Sequence, residues 1–189
     1  MIEPLRPLPD AARRVLEKLH APPRLLAHLA LVHEVALELL DGMAIAWPGL
    51  PIDREAVLLG AALHDVGKTV DRDELRQPGS KHEDDGPPLL EQQGLPDRIA
   101  RFARTHGQWA TEPSITIEDL LVAVADQLWI GKRDQELEDR IIKYLADFTD
   151  QPLWSAFAAF DELELTVLEG AGLRFALYKK IADDEDKLS

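Results

Sequence analysis

The sequence predicts an all-α fold, and two observations support this prediction. Apolar segments of helical length alternate along the 189-residue chain with polar stretches that contain proline and glycine. No window has the strict alternation of apolar and polar residues that is typical of strands. The length suits one domain, or one domain with a helical appendage. We therefore expect a single helical bundle with additional C-terminal helices.

The first part of the chain contains three predicted helices. Asp10 and Asp53 are expected to cap the first and the third, because an aspartate side chain can accept from the free N–H groups of a helix start. Pro23 is tolerated in the first turn of the second helix. Glycine and proline make 42–53 a predicted loop. The predicted helices of this part span 10–19, 23–40 and 54–68.

The second part of the chain begins with a polar stretch, 69–86, that is predicted to be a long loop. Acidic residues at the start of later helices, such as Asp97 and Glu118, suit the positive end of the helix dipole. The predicted helices of this part span 87–94, 95–109 and 115–131, and two or three more follow from Asp134 onward.

The composition limits the class of function. A net charge of −14 disfavours broad contact with duplex nucleic acid, because neutralising phosphates requires Lys and Arg. The absence of cysteine excludes disulfides and thiolate metal sites, so any metal must be held by His, Asp, Glu, carbonyl groups or water. No apolar run is long enough to cross a bilayer and no signal segment is evident, so we expect a cytoplasmic protein without a membrane partner.

Several histidine and aspartate residues lie on or next to apolar helices. His64 and Asp65 end a strongly apolar segment, and a buried carboxylate is costly without a partner such as a cation. Asp126 lies in the middle of another apolar helix, with no basic residue equally placed to neutralise it. His82 in its polar loop and His106 at a helix end have simpler alternatives, as a surface residue and as a C-terminal dipole partner.

The second predicted helix contains two histidines, and its helical phase distinguishes them. His28 falls on the apolar face, so we expect it to point into the core. His33 falls on the flank, so we expect it to lie nearer the surface. The apolar face is defined by Val32, Val35 and Leu39, and the opposite face by Glu34, Glu38 and Asp41.

With these residues the sequence resembles the HD-domain superfamily of metal-dependent phosphohydrolases. That family has a histidine, a His-Asp pair and a distal aspartate on successive helices, and HDVGK at 64–68 is similar to its common HDxGK form. Members with two metals add two histidines between the pair and the distal aspartate, the second often one of two adjacent histidines, whereas His106 is single. The resemblance implies the metal ligands His28, His64, Asp65, His82, His106 and Asp126.

The resemblance also implies an activity and cofactors. We expect hydrolysis of phosphate esters or anhydrides, of a nucleotide or a related small anionic molecule, by water activated on one or two divalent ions (Mn, Fe, Co, Ni or Mg). Asp65 is the expected bridge between two metals. Lys68 is expected to reach a phosphate oxygen, with a surface role as the equal alternative. Lys132 and Arg133 are weaker candidates for the outer phosphates, since a solvated surface position explains both.

Two other functions agree with the same sequence. Some HD-domain proteins use these six ligands for a di-iron pair that activates O₂, and iron suits the same His and carboxylate set. A non-catalytic regulatory module, in which the metal only holds the fold, is the third alternative. The predicted division is an N-terminal helix and linker over 1–22, an HD-type metal-binding core over 23–133, and a C-terminal helical extension over 134–189, which leaves protein interaction and homo-oligomer formation open.

Overall fold

Helices form the regular structure of residues 5–188, the part of the chain that the computed structural model describes. No strand occurs within this range, which confirms the predicted all-α fold class. Two short 3-10 turns, Val66–Thr69 and Arg72–Leu75, lie between the third and fourth helices. The helices are α1 (Asp10–Lys18), α2 (Pro23–Ala46), α3 (Arg54–Leu63), α4 (Lys81–Gln92), α5 (Asp97–Ala100), α6 (Phe102–Gln108), α7 (Ile117–Leu128), α8 (Gln135–Thr149), α9 (Leu153–Leu168) and α10 (Ala171–Leu188).

The long helix α2 is the centre of the fold. It packs against α3, α7, α9 and α10, while α4 packs against α6 and the first 3-10 turn. Helix α10 runs antiparallel to α2. Arg174, early in α10, donates to Glu38, late in α2. Asp186, in the last turn of α10, pairs with Arg24 at the start of α2. The last helix therefore returns to the core and lies along its central element.

Two predicted helix caps have different outcomes. The carboxylate of Asp53 accepts from the backbone N–H of Ala56 at 3.0 Å, which confirms it as the cap of α3. Asp10, by contrast, is the first residue inside α1 and Pro9 occupies the cap position, so that prediction was wrong. The side chain of Asp10 pairs with Arg13 one turn later instead.

Helix α2 is longer than predicted, because it continues through Gly42 to Ala46. A side chain at Gly42 would collide with Leu163 of α9, so this glycine allows two helices to approach closely. The sequence alone suggested a turn at this glycine. The helix ends just before Pro48, which could not continue it.

His33 is buried, with an exposed fraction of 2%, so the prediction that it lies nearer the surface was wrong. Helical phase describes one helix alone, whereas α2 is covered by neighbours on most of its sides. Burial lowers the pKa of His33 to about 4, so the imidazole is neutral. The acidic residues occupy the less buried side as expected and form ion pairs: Glu34 with Arg6, Glu38 with Arg174, and Asp41 with Arg6 and Arg54.

Helix α4 begins at Lys81, six residues before its predicted start, and places His82 inside a helix rather than in a loop. The two internal prolines of α4 suggested the later start. The true start is stabilised from a distance: the carboxylate of Glu74 accepts from the backbone N–H groups of Lys81 at 3.0 Å and His82 at 3.1 Å. The polar stretch before α4 also contains the two 3-10 turns and is not a continuous loop.

Within residues 5–188, no helix combines the length and the apolar character that crossing a membrane requires.

Candidate metal centre

Four imidazoles and two carboxylates meet at one point in the bundle. They form three overlapping groups of three side chains. Within each group, the possible ligand atoms lie within 4.8 Å of one another. All six sequence-predicted ligands are brought together here. They are His28 from α2, His64 and Asp65 from the end of α3, His82 from α4, His106 from α6 and Asp126 from α7.

One side of the cluster contains the side chains that the HDVGK motif shares with α2 and α7. Nε2 of His28 lies 3.0 Å from Oδ2 of Asp65 and 3.3 Å from Oδ1 of Asp126. Nε2 of His64 lies 3.1 Å from Nε2 of His28 and 3.3 Å from the same Asp126 oxygen. Four side chains therefore direct a donor atom to a common point.

The other side of the cluster uses the second oxygen of Asp65. Oδ1 of Asp65 lies 3.0 Å from Nε2 of His82 and 3.5 Å from Nε2 of His106, and these two nitrogens are 3.4 Å apart. Oδ2 faces His28, as described above. One buried carboxylate thus presents its two oxygens to two different sets of imidazoles, which is the geometry that a bridging ligand requires.

The local backbone explains why two adjacent residues reach the same centre. Successive side chains on a helix point about 100° apart, but α3 ends at Leu63, and Asp65 has φ −97° and ψ 11°, outside the helical region. The 3-10 turn then passes against α4. A side chain at Gly67 would collide with the backbone carbonyl of His82, so glycine in the motif permits the contact that brings His82 to Asp65.

The outer nitrogens of three histidines fix their orientation. Nδ1 of His64 lies 2.9 Å from the carbonyl of Ala61, and Nδ1 of His106 lies 3.2 Å from the carbonyl of Phe102. A carbonyl can only accept, so Nδ1 carries the proton and Nε2 keeps a lone pair toward the cluster. Nδ1 of His82 donates to the carboxylate of Glu74 at 2.5 Å in the same way. Histidines that bind metals are commonly held like this.

Charge within the cluster is balanced between carboxylates and imidazoles. Burial alone would lower the pKa of His28, but hydrogen bonds to Asp126 and Asp65 raise it to about 9. Burial alone would raise the pKa of Asp65 and of Asp126, but neighbouring imidazoles hold both well below the usual range. Burial lowers the pKa of His106 to about 4. The site therefore combines ionised carboxylates with a histidine that is held neutral.

The donor set fits divalent cations. Neighbouring donor atoms are 3.0–3.5 Å apart, close to the roughly 3 Å edge of an octahedron whose bonds are about 2.0–2.2 Å long. Nitrogen and carboxylate oxygen donors suit first-row divalent ions. Asp126 keeps 23% of its side chain exposed, so one side of the cluster opens to solvent. That opening leaves room for water and substrate.

A cavity of about 250 Å³ adjoins the open side of the cluster. His28, Asp65 and Lys68 line it. Eight further residues that were not predicted from the sequence also line it, among them Arg24, Glu74, Arg76, Trp129 and Tyr178. Arg24 stands one turn before His28 and Trp129 one turn after Asp126, so helical spacing could have suggested both. Tyr178 is remote from every ligand in the sequence, and Arg76 lies in the polar stretch before His82, where no local signal marks it.

The three predicted substrate-contacting residues have different surroundings. Nζ of Lys68 lies 2.5 Å from Oδ2 of Asp65 and borders the cavity. Lys132 is exposed and does not line the cavity. The prediction that Arg133 contacts the outer phosphates of the substrate was wrong. Its guanidinium binds carboxylates of α8 and α9 and does not line the cavity. Its three partners are Glu138, Asp161 and Glu164, at 2.7, 2.7 and 2.8 Å.

The helical fold and the His and Asp cluster define an all-α protein with a candidate metal centre. The sequence matches the family model of the HD domain over residues 25–147, and the chain therefore belongs to the HD-domain family. Members of this family bind divalent metals and are generally metal-dependent phosphohydrolases.

Curated relatives share parts of this chain. An uncharacterized protein of Methanocaldococcus jannaschii is 32% identical over 131 residues, which cover 62% of this chain and 73% of that protein. A tRNA (cytidine(56)-2'-O)-methyltransferase of Picrophilus torridus is 28% identical over 71% of this chain but only 40% of its own length. A ribonuclease Y of Fervidobacterium nodosum is 34% identical over 58% of this chain and 20% of its own length. No solved structure matches the chain significantly.

The two histidines of α2 give a direct test of the ligand assignment. We expect His28→Ala to weaken Mn²⁺ binding by more than about 100-fold, because even the partners of metal ligands typically contribute 10–100-fold. His33→Leu, which keeps a buried side chain of similar size, is expected to change affinity less than about twofold. Calorimetric titration of metal-depleted protein measures both. The reverse order of effects would contradict the assignment of His28.

The second set of donors predicts a second ion. The parent protein is expected to hold two ions per chain at saturation, and His82→Ala with His106→Ala is expected to hold one, because His28, His64 and Asp126 remain. Elemental analysis after removal of free metal gives the ratio. The matched control removes two histidines outside the cluster, His20→Ala with His33→Leu, and should keep both ions. Equal metal content in the two double variants would rule out the two-metal arrangement.

Proposed function

We propose that this protein hydrolyses phosphate esters or anhydrides of a nucleotide or a related small molecule, in a metal-dependent reaction. One observation carries the proposal: Asp65 presents its two oxygens to two imidazole sets and lines a cavity that Arg24, Lys68 and Arg76 also line. Phosphate hydrolysis needs such a combination of a site for cations and a positive wall for the phosphate oxygens.

Divalent cations bound by the six side chains would lower the pKa of a water molecule and offset negative charge on the phosphoryl group. The protein's own contribution is orientation. His64 and His106 are held by backbone carbonyls, and His82 by Glu74, so their Nε2 atoms are fixed before any substrate arrives. Preorganised groups need no rearrangement during the reaction, and this lowers the barrier.

Lys68 is proposed to contact a phosphoryl oxygen of the substrate. Burial alone would lower its pKa, but the Asp65 carboxylate raises it, so the ammonium group is charged at neutral pH. The group is bound to Asp65 at 2.5 Å and borders the cavity, with 21% of its side chain exposed. An ammonium at this position is a point charge that can stabilise a phosphate oxygen without fixing one geometry.

The distribution of charge favours a small anionic substrate over a polymer. The whole chain carries −14, which disfavours extended contact with nucleic acid. The cavity beside the cluster is different, because Arg24, Lys68 and Arg76 all line it. Its volume of about 250 Å³ lies just below the usual range of about 300–1,000 Å³ for ligand pockets, which favours a small compound. The names of two relatives concern RNA, but the matched regions are only 40% and 20% of those proteins, so an RNA substrate is a separate alternative.

A metal and substrate panel tests the proposal against its alternatives. Phosphate mono- and diesters, nucleotides, bridged and cyclic dinucleotides and short RNA would be assayed with Mn²⁺, Co²⁺, Ni²⁺, Mg²⁺ and Fe²⁺. The proposal predicts hydrolysis of a phosphate ester or anhydride bond, measured as the products that form, that depends on metal and proceeds without O₂. Turnover that requires iron and O₂ would support the oxygenase alternative, and tight metal binding without any turnover would support the regulatory one.

Asp65→Asn is the decisive variant for the reaction. It keeps the size of the side chain but removes its charge, so we expect hydrolysis to fall by more than about 100-fold while the helical circular dichroism spectrum is retained. The control is Asp147→Asn, which makes the same change at an exposed position of α8 and should keep full activity. Activity near the parent level in Asp65→Asn, after metal depletion and reconstitution, would contradict the proposed role.

A further inference from the structure

Two arginines share the cavity with the metal centre. Arg24 and Arg76 line the same cavity as His28, Asp65 and Lys68. Arg24 lies one turn before His28 on α2, and side chains at this spacing share a helix face with Cβ atoms about 5–6 Å apart. The two arginines therefore place positive charge next to the proposed reaction centre, in addition to the charge of Lys68. The proposed function assigns neither arginine to a particular phosphate group.

One carboxylate of α10 links the two arginines. Oδ2 of Asp186 lies 2.5 Å from the Arg24 guanidinium, and Oδ1 lies 2.8 Å from that of Arg76. Glu185 accepts from the backbone N–H of Arg24 at 2.7 Å. Asp186 is in the last turn of α10 and its side chain is 48% exposed. A surface carboxylate with two oxygens thus occupies the position between two guanidinium groups.

The hydrogen bonds of Arg24 are incomplete in this arrangement. The residue is only 7% exposed, yet its Nε is buried and has no hydrogen-bond partner among the described residues. A buried donor without a partner is unfavourable, because it has lost its hydrogen bond to water and gained none in return. A carboxylate on one guanidinium nitrogen leaves the Nε donor free for a further acceptor. A phosphate group, with more oxygens, can bind both edges of a guanidinium.

We infer that Arg24 and Arg76 form a subsite for a second phosphate group of the substrate, and that the carboxylate of Asp186 occupies this subsite until the substrate displaces it. The inference rests on the proposed function and narrows the substrate to molecules with neighbouring phosphate groups, such as nucleoside diphosphates or triphosphates. Lys68 and the metal centre would contact one phosphate and the two arginines the next.

If Asp186 competes with the substrate, its removal must change the affinity for a diphosphate ligand in one direction. When the carboxylate occupies the subsite in part of the protein molecules, only the remaining molecules can bind the ligand there. The apparent affinity is then lower in proportion to the fraction of molecules with a free subsite. Removing the carboxylate must then tighten binding of a ligand with two phosphates. If Asp186 instead only positions the arginines, its removal must weaken binding. The direction of the change therefore separates a competitor from a structural partner.

The test measures binding of methylenediphosphonate, an uncleavable diphosphate analogue, and of inorganic phosphate to metal-loaded protein by calorimetry. Asp186→Asn is expected to tighten methylenediphosphonate binding by about 3–10-fold, and Arg76→Gln to weaken it by about 10-fold, the usual range for a hydrogen bond to a charged group. Inorganic phosphate, which needs only the metal centre, should change less than about twofold in both variants. Methylenediphosphonate also binds free metal, but this contribution is the same for every variant and cancels in the comparison.

Asp184→Asn is the matched control, because Asp184 lies on the same helix, is exposed and pairs with Lys187. It makes the same change in net charge and should leave both affinities unchanged. Weaker or unchanged methylenediphosphonate binding in Asp186→Asn, an equal effect of Asp184→Asn, or no binding of the analogue by the parent would each overturn the subsite. Binding as predicted without hydrolysis of any phosphate ester or anhydride would instead reject the proposed function and leave the subsite standing.

Discussion

The structure depends on holding two ionised carboxylates, Asp65 and Asp126, at the meeting point of apolar helices. Taking such a group out of water costs several kcal/mol unless partners replace the lost hydration. Imidazole nitrogens from α2, α3, α4 and α6 lie 3.0–3.8 Å from one or both carboxylates. Helices far apart in sequence must therefore pack so that these imidazoles meet the carboxylates. The same packing brings together the donor atoms that could hold a metal ion. The contacts between carboxylates and imidazoles thus stabilise the helix packing and also form the candidate metal centre.

Much of the remaining fold serves to position that cluster. Gly67 lets the turn after Asp65 lie directly against α4, and Gly42 lets α2 approach α9. Glu74 holds the first turn of α4 and the ring of His82 at once, so one carboxylate fixes both a helix start and a histidine. Helix α10 then lies antiparallel along α2 and brings an acidic turn to the open edge of the cavity. Helix α10 thereby contacts Arg24 and Arg76, two residues that line the cavity.

The sequence was sufficient to predict the helical class, because apolar spacing is a local pattern. The six side chains that converge were predicted from the resemblance of the ordered His and Asp residues to a known family. It was insufficient where a distant partner decides the outcome. His33 is buried because several helices cover α2, and α4 starts early because Glu74 caps it from outside. Arg133 follows the metal-binding helix closely, yet three carboxylates of α8 and α9 hold it. Arg76 and Tyr178 reach the cavity only through tertiary packing.

A crystal structure of the protein grown with Mn²⁺, with anomalous data at the manganese edge, tests the central claim most directly. The account predicts two anomalous peaks among the six side chains, each with an oxygen of Asp65 and histidine nitrogens at the usual metal–ligand distances of about 2.0–2.2 Å. One peak should be bound by His28, His64 and Asp126, and the other by His82 and His106. At saturating Mn²⁺, an absence of density in the cluster, or peaks held only by surface carboxylates, would contradict it.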